Sequence, residues 1–310
     1  MKPSVTPLRY PGGKTWLLPY VKDFLNYHNI HLGVIVEPFA GSASVSIGLL
    51  NSGFAEHAYI CDSDPLIIAF WRSIFNNNAE FIESVKNLEI TMETWYDFKK
   101  YLDKDAIMKY RDIELGLAFL FYNRTNFSGI IIAGPIGGKR QLSKYKLQCR
   151  FNMERIIKKI QKLSSLSDRV TIELSNGIDF LKNFGRNFEE DHLFFYIDPP
   201  YYNGGNVLYR NYFRDKEHVE LANVLSGITE YPWLVSYDNA EFIKNLYSES
   251  RSQYVYTDYQ AGNLKRGMRE LLLSNLHIPP KIVDTGTAME RSVKIKNDGD
   301  KIVSCQVAHT

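Results

Sequence analysis

The sequence predicts an α/β protein in which a mostly parallel sheet is interrupted by a mostly helical insert, and three observations carry that expectation. Short apolar runs at 34–36, 58–61 and 193–197 each stop at an acid, namely Glu37, Asp62 and Asp198. Such continuous apolar strands mark a sheet covered on both faces. A helical segment from about 43 to 50 separates the first two runs. The result is one βαβ unit with a tight glycine turn and an acid about twenty positions on, the layout of a nucleoside-binding fold. Between 65 and 166 helical spacing then takes over.

The elements follow in order. Arg9 to Lys14 form a turn cluster, after which Leu17, Val21, Phe24 and His28 recur at helical spacing. The strand 34–36 runs into Glu37-Pro38-Phe39-Ala40-Gly41-Ser42, and the strand 58–61 ends at Asp62. Helices are expected around 66–75, 92–102, 114–122 and 153–163, with an irregular, glycine-bearing stretch from 123 to 150. A loop that long inside a compact region is usually functional. Strands resume at 170–174, 193–197 and 233–236, with helices at 217–225 and 240–247. A closing antiparallel pair is read at 254–259 and 270–276. The last thirty residues have weak pattern and are expected to form a partly ordered tail.

Composition bounds the rest. A chain of 310 residues with 45% apolar content holds one large domain or two modest ones, and a net charge of +2 implies no partner by itself. Cys61, Cys149 and Cys305 lie far apart without metal-ligand spacing, so a reducing compartment and no disulfide framework are expected. His218, His277 and the other histidines show no pairing that suggests a metal or a nucleophile relay. With no signal peptide and no bilayer-length apolar run, the expected location is cytoplasmic, without a membrane partner.

The chemistry concentrates in Asp198-Pro199-Pro200-Tyr201, directly after the apolar strand. Open α/β sheets place ligands at the C-terminal ends of their strands. An exocyclic amine on a base is a poor nucleophile because its lone pair is delocalised into the ring. Acceptors at its protons favour rehybridisation and the positive charge that develops. Asp198 supplies a side-chain acceptor and the Pro199 carbonyl a second, its direction preset by two locked φ angles. Tyr201 offers a face for stacking the base.

Other groups fit around that loop. Pro11-Gly12-Gly13-Lys14-Thr15 is not a phosphate loop, since its first glycine would fall at Leu8 and no strand precedes it. Lys14 after a flexible glycine pair is instead suited to a carboxylate such as that of an amino-acid moiety. Phe39-Ala40-Gly41-Ser42-Ala43-Ser44 carries one glycine where a dinucleotide fingerprint wants three, so it suits an uncharged ligand segment. Asp62 is placed to accept from ribose hydroxyls, with Asp64 as its rival and helix capping as the structural alternative. Arg124, Asn126, Phe127 and Ser128, followed by Lys139, Arg140, Lys144, Tyr145, Lys146 and Arg150, mix cations with aromatics as phosphate contact and base readout require.

Taken together, these motifs resemble the Dam-type (D12 class) DNA N6-adenine methyltransferases, in the α-group order, over nearly the whole chain. The matching elements are Tyr10-Pro11-Gly12-Gly13-Lys14, Glu37-Pro38-Phe39-Ala40-Gly41-Ser42, Asp62, Asn123-Arg124-Thr125-Asn126-Phe127-Ser128-Gly129 and Asp198-Pro199-Pro200-Tyr201. Ser236-Tyr237-Asp238-Asn239 and the strand from Arg269 to Leu276 look like the family's closing elements. The resemblance implies a Rossmann-like sheet using S-adenosyl-L-methionine, split over 1–65 and 167–310, with residues 66–166 as the target-recognition insert. It places Tyr10 and Lys14 near the methionine portion, Glu37 and Phe39 to Ser42 around the cofactor, and Asp62 on the ribose. Either Asn176 or Asp179 approaches its adenine. Asp198 falls between cofactor and target amine, and Phe127 beside the displaced base. Double-stranded DNA is the implied partner, with a cognate restriction endonuclease beside it or with the enzyme as an orphan or phage methylase. Oligomeric state is left open. Methylation of cytosine N4 or RNA, or a non-catalytic DNA-binding relative, are the alternatives. GATC-specific members carry an arginine shortly after the turn, where this chain reads Gly129-Ile130-Ile131-Ile132. Isoleucine cannot make the bidentate guanine contact, so a target other than GATC is expected.

Overall fold

Strands β1 (Leu32–Glu37), β2 (Ala55–Asp62), β3 (Val170–Leu174), β4 (Leu193–Ile197), β5 (Trp233–Asp238), β6 (Arg251–Ala261) and β7 (Leu264–Ser274) form one sheet. Their order is β3-β2-β1-β4-β5-β7-β6. These are the strands of a computed structural model that describes residues 5–10, 12–187, 192–261 and 264–279. The expected tail lies outside the described residues, as does Pro11 of the glycine-pair motif. Pairing is parallel from β3 through β5, and β7 runs antiparallel between β5 and β6. The closing hairpin expected from the sequence is therefore present, but longer and tighter than read.

Alternation along the strands splits the core into two layers. Ile35, Ile60, Phe194, Tyr196, Leu234 and Leu272 face one side. There they meet α1 (Leu18–Tyr27), α2 (Ser44–Asn51), α3 (Pro65–Phe75), α4 (Asn78–Lys86), α5 (Met92–Asp97), α6 (Asp112–Thr125) and α7 (Met153–Ser164). Val36, Phe195, Ile197, Val235 and Leu273 face the other. Those pack under α8 (Gly177–Asn187), α10 (Asp215–Ser226) and α11 (Glu241–Leu246), while α9 (Gly205–Leu208) is a single turn in the segment after β4. Each buried Phe, Leu or Ile contributes about 1.5–3 kcal/mol relative to exposure. The helices between 65 and 164 share one continuous core with the sheet, because α3 lies against β2 and β3 before the chain moves outward.

Local signals fix the helix starts that matter. Pro65 takes the first turn of α3 and the Asp64 carboxylate accepts the Leu66 amide at 3.0 Å. Asp64, not Asp62, is thus the cap. Besides the single turn α9, two helices escaped the sequence reading. In α4, Asn77 and Asn78 blur the start; in α8, Gly177 and Gly185 dilute the helical signal, although Ile178, Leu181 and Phe184 form its buried stripe.

The sheet order has one decisive consequence. The chain leaves β1 toward β2 and β3, then returns to the other side of β1 as β4. A crevice opens at that switch, at the C-terminal ends of the strands. Val36 lies opposite Phe195, so Glu37 and Asp198 come off adjacent strands into the same crevice.

Candidate active site

Asp198 stands one residue beyond β4, and its Oδ1 is held from two sides. The Lys14 ammonium approaches at 2.6 Å and the Ser236 hydroxyl at 3.0 Å. Ser236 comes from β5, and the Tyr196 hydroxyl lies 2.9 Å from it. Since Ser236 donates to Asp198, Tyr196 donates to Ser236. Among the described residues nothing bonds Oδ2, and the side chain is 20% exposed. Burial raises the Asp198 carboxyl, and Lys14 and Ser236 oppose the rise.

Lys14 is buried and reaches four groups. Besides Asp198 it meets Glu270 Oε1 at 3.0 Å, the Gly12 carbonyl at 3.0 Å and the Tyr201 hydroxyl at 3.1 Å. Burial alone would lower its pKa, but the Asp198 and Glu270 carboxylates override that and hold it well above the usual lysine range. Glu270, on β7, also accepts from the Tyr201 hydroxyl, at 3.1 and 3.2 Å. Burial pushes the Glu270 carboxyl up to about 7 against the pull of Lys14.

Beside this network lies a cavity of about 380 Å3, within the range of small-ligand sites. Its floor comes from the turn after β1: Glu37, Phe39, Ala40, Gly41, Ser42 and Ser44. Gly41 has φ +45°, and a Cβ there would sit 2.8 Å from the Tyr10 ring. The Trp71 indole donates to the Gly41 carbonyl at 3.0 Å, and Asp62 accepts the Gly41 amide at 3.0 Å. Burial raises Asp62 to about 7 and Glu37 to about 8, each against opposing hydrogen bonds. The roof is the segment after the β4 loop, from Tyr209 to Phe213. Arg210 latches it by pairing with Asp64 at 3.0 Å and donating to the Leu102 carbonyl at 3.2 Å. Asp238, at the end of β5, accepts the Tyr202 and Asn203 amides at 2.8 and 3.0 Å and so fixes where that segment begins.

Tyr10, Glu37, Phe39, Ala40, Gly41, Ser42, Asp62, Asn176, Asp198 and Pro200 therefore all line one cavity. Asn176 does so while its side-chain oxygen caps α8 at Ile178, 2.9 Å away; Asp179 is exposed and faces Lys182. Three residues of the expected site lie off this lining. Lys14 does not line the cavity, because the carboxylates it reaches are the protein's own. Tyr201 offers no free ring face there: it is 7% exposed, its hydroxyl bound to Glu270 and its ring 4.9 Å from the Lys14 ammonium. Pro199 is likewise buried outside the lining.

In the 123–150 loop, Asn126 also needs correction as a DNA contact. It is fully buried, accepting from the Trp95 indole at 2.8 Å and donating to the Ile131 carbonyl at 2.9 Å. Arg124 is half-buried, donating to the Pro7 and Arg150 carbonyls, and burial with Arg9, Arg155 and Arg150 nearby lowers it to about 10. Phe127, Ser128, Lys139, Arg140, Lys144 and Lys146 are exposed.

Glu270 and the Tyr209–Phe213 roof were missed from sequence. The available signal for Glu270 was an acid opening the apolar run Leu271-Leu272-Leu273, since buried acids are rare unless paired.

A parallel sheet closed by an inserted antiparallel strand, with an acid-rich, aromatic-walled cavity at its switch point, defines a Rossmann-like methyltransferase. The chain belongs to the D12 class N6 adenine-specific DNA methyltransferase family, whose sequence profile matches residues 10–261. No curated protein gives a significant sequence match. Among solved structures it is similar to the rRNA methyltransferase aviRa from Streptomyces viridochromogenes, with 9% identity, 86% of each chain covered and a TM-score of 0.39. It is also similar to M. capricolum TrmK in complex with S-adenosyl-homocysteine, with 10% identity and a TM-score of 0.34, covering 80% of this chain and 64% of that one. The family's methyl donor is S-adenosylmethionine. The cavity suits it: the Glu37, Asp62 and Asp198 carboxyls put oxygens on the lining for a hydroxyl-bearing ligand, and Phe39 and Tyr10 supply rings for a cationic one.

Proposed function

We propose that this chain methylates N6 of adenine in duplex DNA. The observation that carries the reading is Asp198, a residue of the cavity lining whose Oδ1 is pinned by Lys14 and Ser236 while Oδ2 has no bond among the described residues. S-adenosylmethionine supplies a sulfonium-bound methyl group, so that transfer forms an N–C bond, breaks the C–S bond and leaves a neutral thioether. The protein's part is to orient. Asp198 Oδ2 accepts an amine proton, favours the tetrahedral nitrogen and stabilises its developing charge. The surplus proton then leaves through that carboxylate to solvent. Asp62 takes ribose hydroxyls, Asn176 stands at the adenine end, and Tyr10 with Phe39 flanks the donor. The exposed cations from Lys139 to Lys146 hold phosphates, Phe127 wedges at the gap, and the target adenine rotates out of the stack at a cost of roughly a few kcal/mol. Residues 66–166 serve as the recognition insert on this reading.

The test is transfer of a tritiated methyl group to unmethylated duplex DNA, with the product base identified after digestion. N6-methyladenine is expected, and Asp198→Ala should lower turnover at least about a hundredfold with its melting curve unchanged. Label on cytosine N4, label only on RNA, or a fully active Asp198→Ala would overturn the reading.

A further inference from the structure

Glu270 has no place in that mechanism as described, yet it is one of the most deeply buried charged groups in the molecule. It sits on β7 at 2% exposure, 3.0 Å from the Lys14 ammonium and 3.1 Å from the Tyr201 hydroxyl. The hydroxyl has one proton, which it donates to Glu270, and it accepts in turn from Lys14. Lys14, Asp198, Tyr201 and Glu270 thus form a closed group in which one cation serves two carboxylates. The arithmetic matters to the neighbouring cavity. With Asp198 alone, Lys14 would cancel its charge, and the pair would present only a dipole to a ligand. With Glu270 ionised, as it is above about pH 7, the ammonium is divided between two carboxylates and the group keeps a net negative charge, which Asp198 carries to the cavity lining.

We infer that Glu270 is a positioning residue that keeps Lys14 from neutralising Asp198, and thereby sets how strongly the site favours the cationic sulfonium donor over its neutral thioether product. The inference rests on the proposed methyl transfer and adds to it a residue that touches neither substrate nor cofactor. Tyr201 belongs to the same device: its hydroxyl bridges acid and lysine, which holds its ring beside the Lys14 ammonium and off the cavity lining. The antiparallel strand β7 acquires a purpose beyond closing the sheet, since it brings a carboxylate behind the β4 loop that the parallel strands leave unfilled.

The experiment is isothermal titration of the full chain with S-adenosylmethionine and, separately, with S-adenosylhomocysteine. For Glu270→Gln, which preserves volume and an acceptor for Tyr201, the ratio of donor to product affinity should fall about tenfold, the scale of one unit charge acting across a partly screened site. Lys14→Gln on the Glu270→Gln background leaves Asp198 uncompensated again and should restore the wild-type ratio. A purely structural role predicts that both affinities drop together and the ratio holds; that result overturns the inference. If Glu270→Gln alone does not fold, the double variant decides, because a lost ratio there is incompatible with the charge argument. A wild-type chain that binds neither molecule overturns the proposed function and the inference with it. A wild type that binds both, with an unchanged ratio in Glu270→Gln, overturns the inference alone.

Discussion

Glu37 is a buried acid whose protonation bears on stability. Its carboxyl is buried at the end of β1 and accepts from the Ser46 amide at 3.1 Å and the Ser46 hydroxyl at 2.5 Å, yet burial still raises it to about 8 from an ordinary 4.5. An unfolded chain releases that proton near 4.5, whereas the native one keeps it to about 8. Between those values the native state binds more protons, so stability falls as pH rises, by up to about 1.4 kcal/mol per unit for one such group. Asp62 and Glu270, each raised to about 7, add to the slope below neutrality and little above it. Glu37→Gln removes its share. Its stability relative to wild type should therefore improve by about 2 kcal/mol between pH 6 and pH 8, as read from urea unfolding of the ligand-free protein. A difference that does not change with pH would show that the carboxyl is already ionised in the native state.

The glycine turn after α6 shows how one element positions another. Asn123, at the end of α6, accepts the Arg9 amide at 2.8 Å and donates to the carbonyls of Arg9 and Gly129 at 3.1 and 3.2 Å. Gly129 has φ +78°, and a Cβ there would lie 1.8 Å from the Arg9 carbonyl oxygen. The segment carrying Tyr10 is thus clamped to the end of α6 and the turn after it, and Tyr10 in turn packs on the Gly41 turn of the cavity floor. Gly129→Ala must push that segment away. We expect a loss of about 1–3 kcal/mol in stability and at least a tenfold weaker titration of S-adenosylhomocysteine; unchanged affinity would break the link between the turn and the cavity. The parallel strands and their terminal acids were legible in the sequence because apolar runs of four or five residues ending at Asp62 or Asp198 leave few other readings. The partners were not. Asn123 and Asn126 look like base-reading amides in one dimension, and only tertiary contacts with Arg9, Trp95 and Ile131 reveal them as internal clamps. Lys14 is similar: its two acids lie 184 and 256 positions away, a distance no local pattern encodes.

Across the whole molecule, the crevice and the 123–150 loop are built from different kinds of surface. The crevice at the β1–β4 switch is assembled from strand ends held by two packed layers, so its acids are fixed to within a hydrogen bond. In the 123–150 loop Asn126, Ile131, Ile136 and Leu147 are buried, whereas Phe127, Ile132, Leu142 and Tyr145 stand at 54%, 53%, 80% and 60% exposure. On the proposed reading, a scaffold of this kind keeps the transfer chemistry constant while the tip of the loop chooses the sequence. The resemblance to GATC-specific enzymes then makes a definite statement, because the arginine they place just beyond the turn is replaced by Ile130, Ile131 and Ile132. A bidentate arginine–guanine pair is worth about 1–3 kcal/mol of discrimination, and an isoleucine can offer only apolar contact, which suits a thymine methyl. Mapping N6-methyladenine in DNA from cells that express this protein should therefore return a motif other than GATC, with Ile132→Arg altering base preference at one position while leaving S-adenosylhomocysteine affinity unchanged. Recovery of GATC as the modified motif would place the guanine-reading residue elsewhere in the loop and remove Ile130 to Ile132 from the recognition argument.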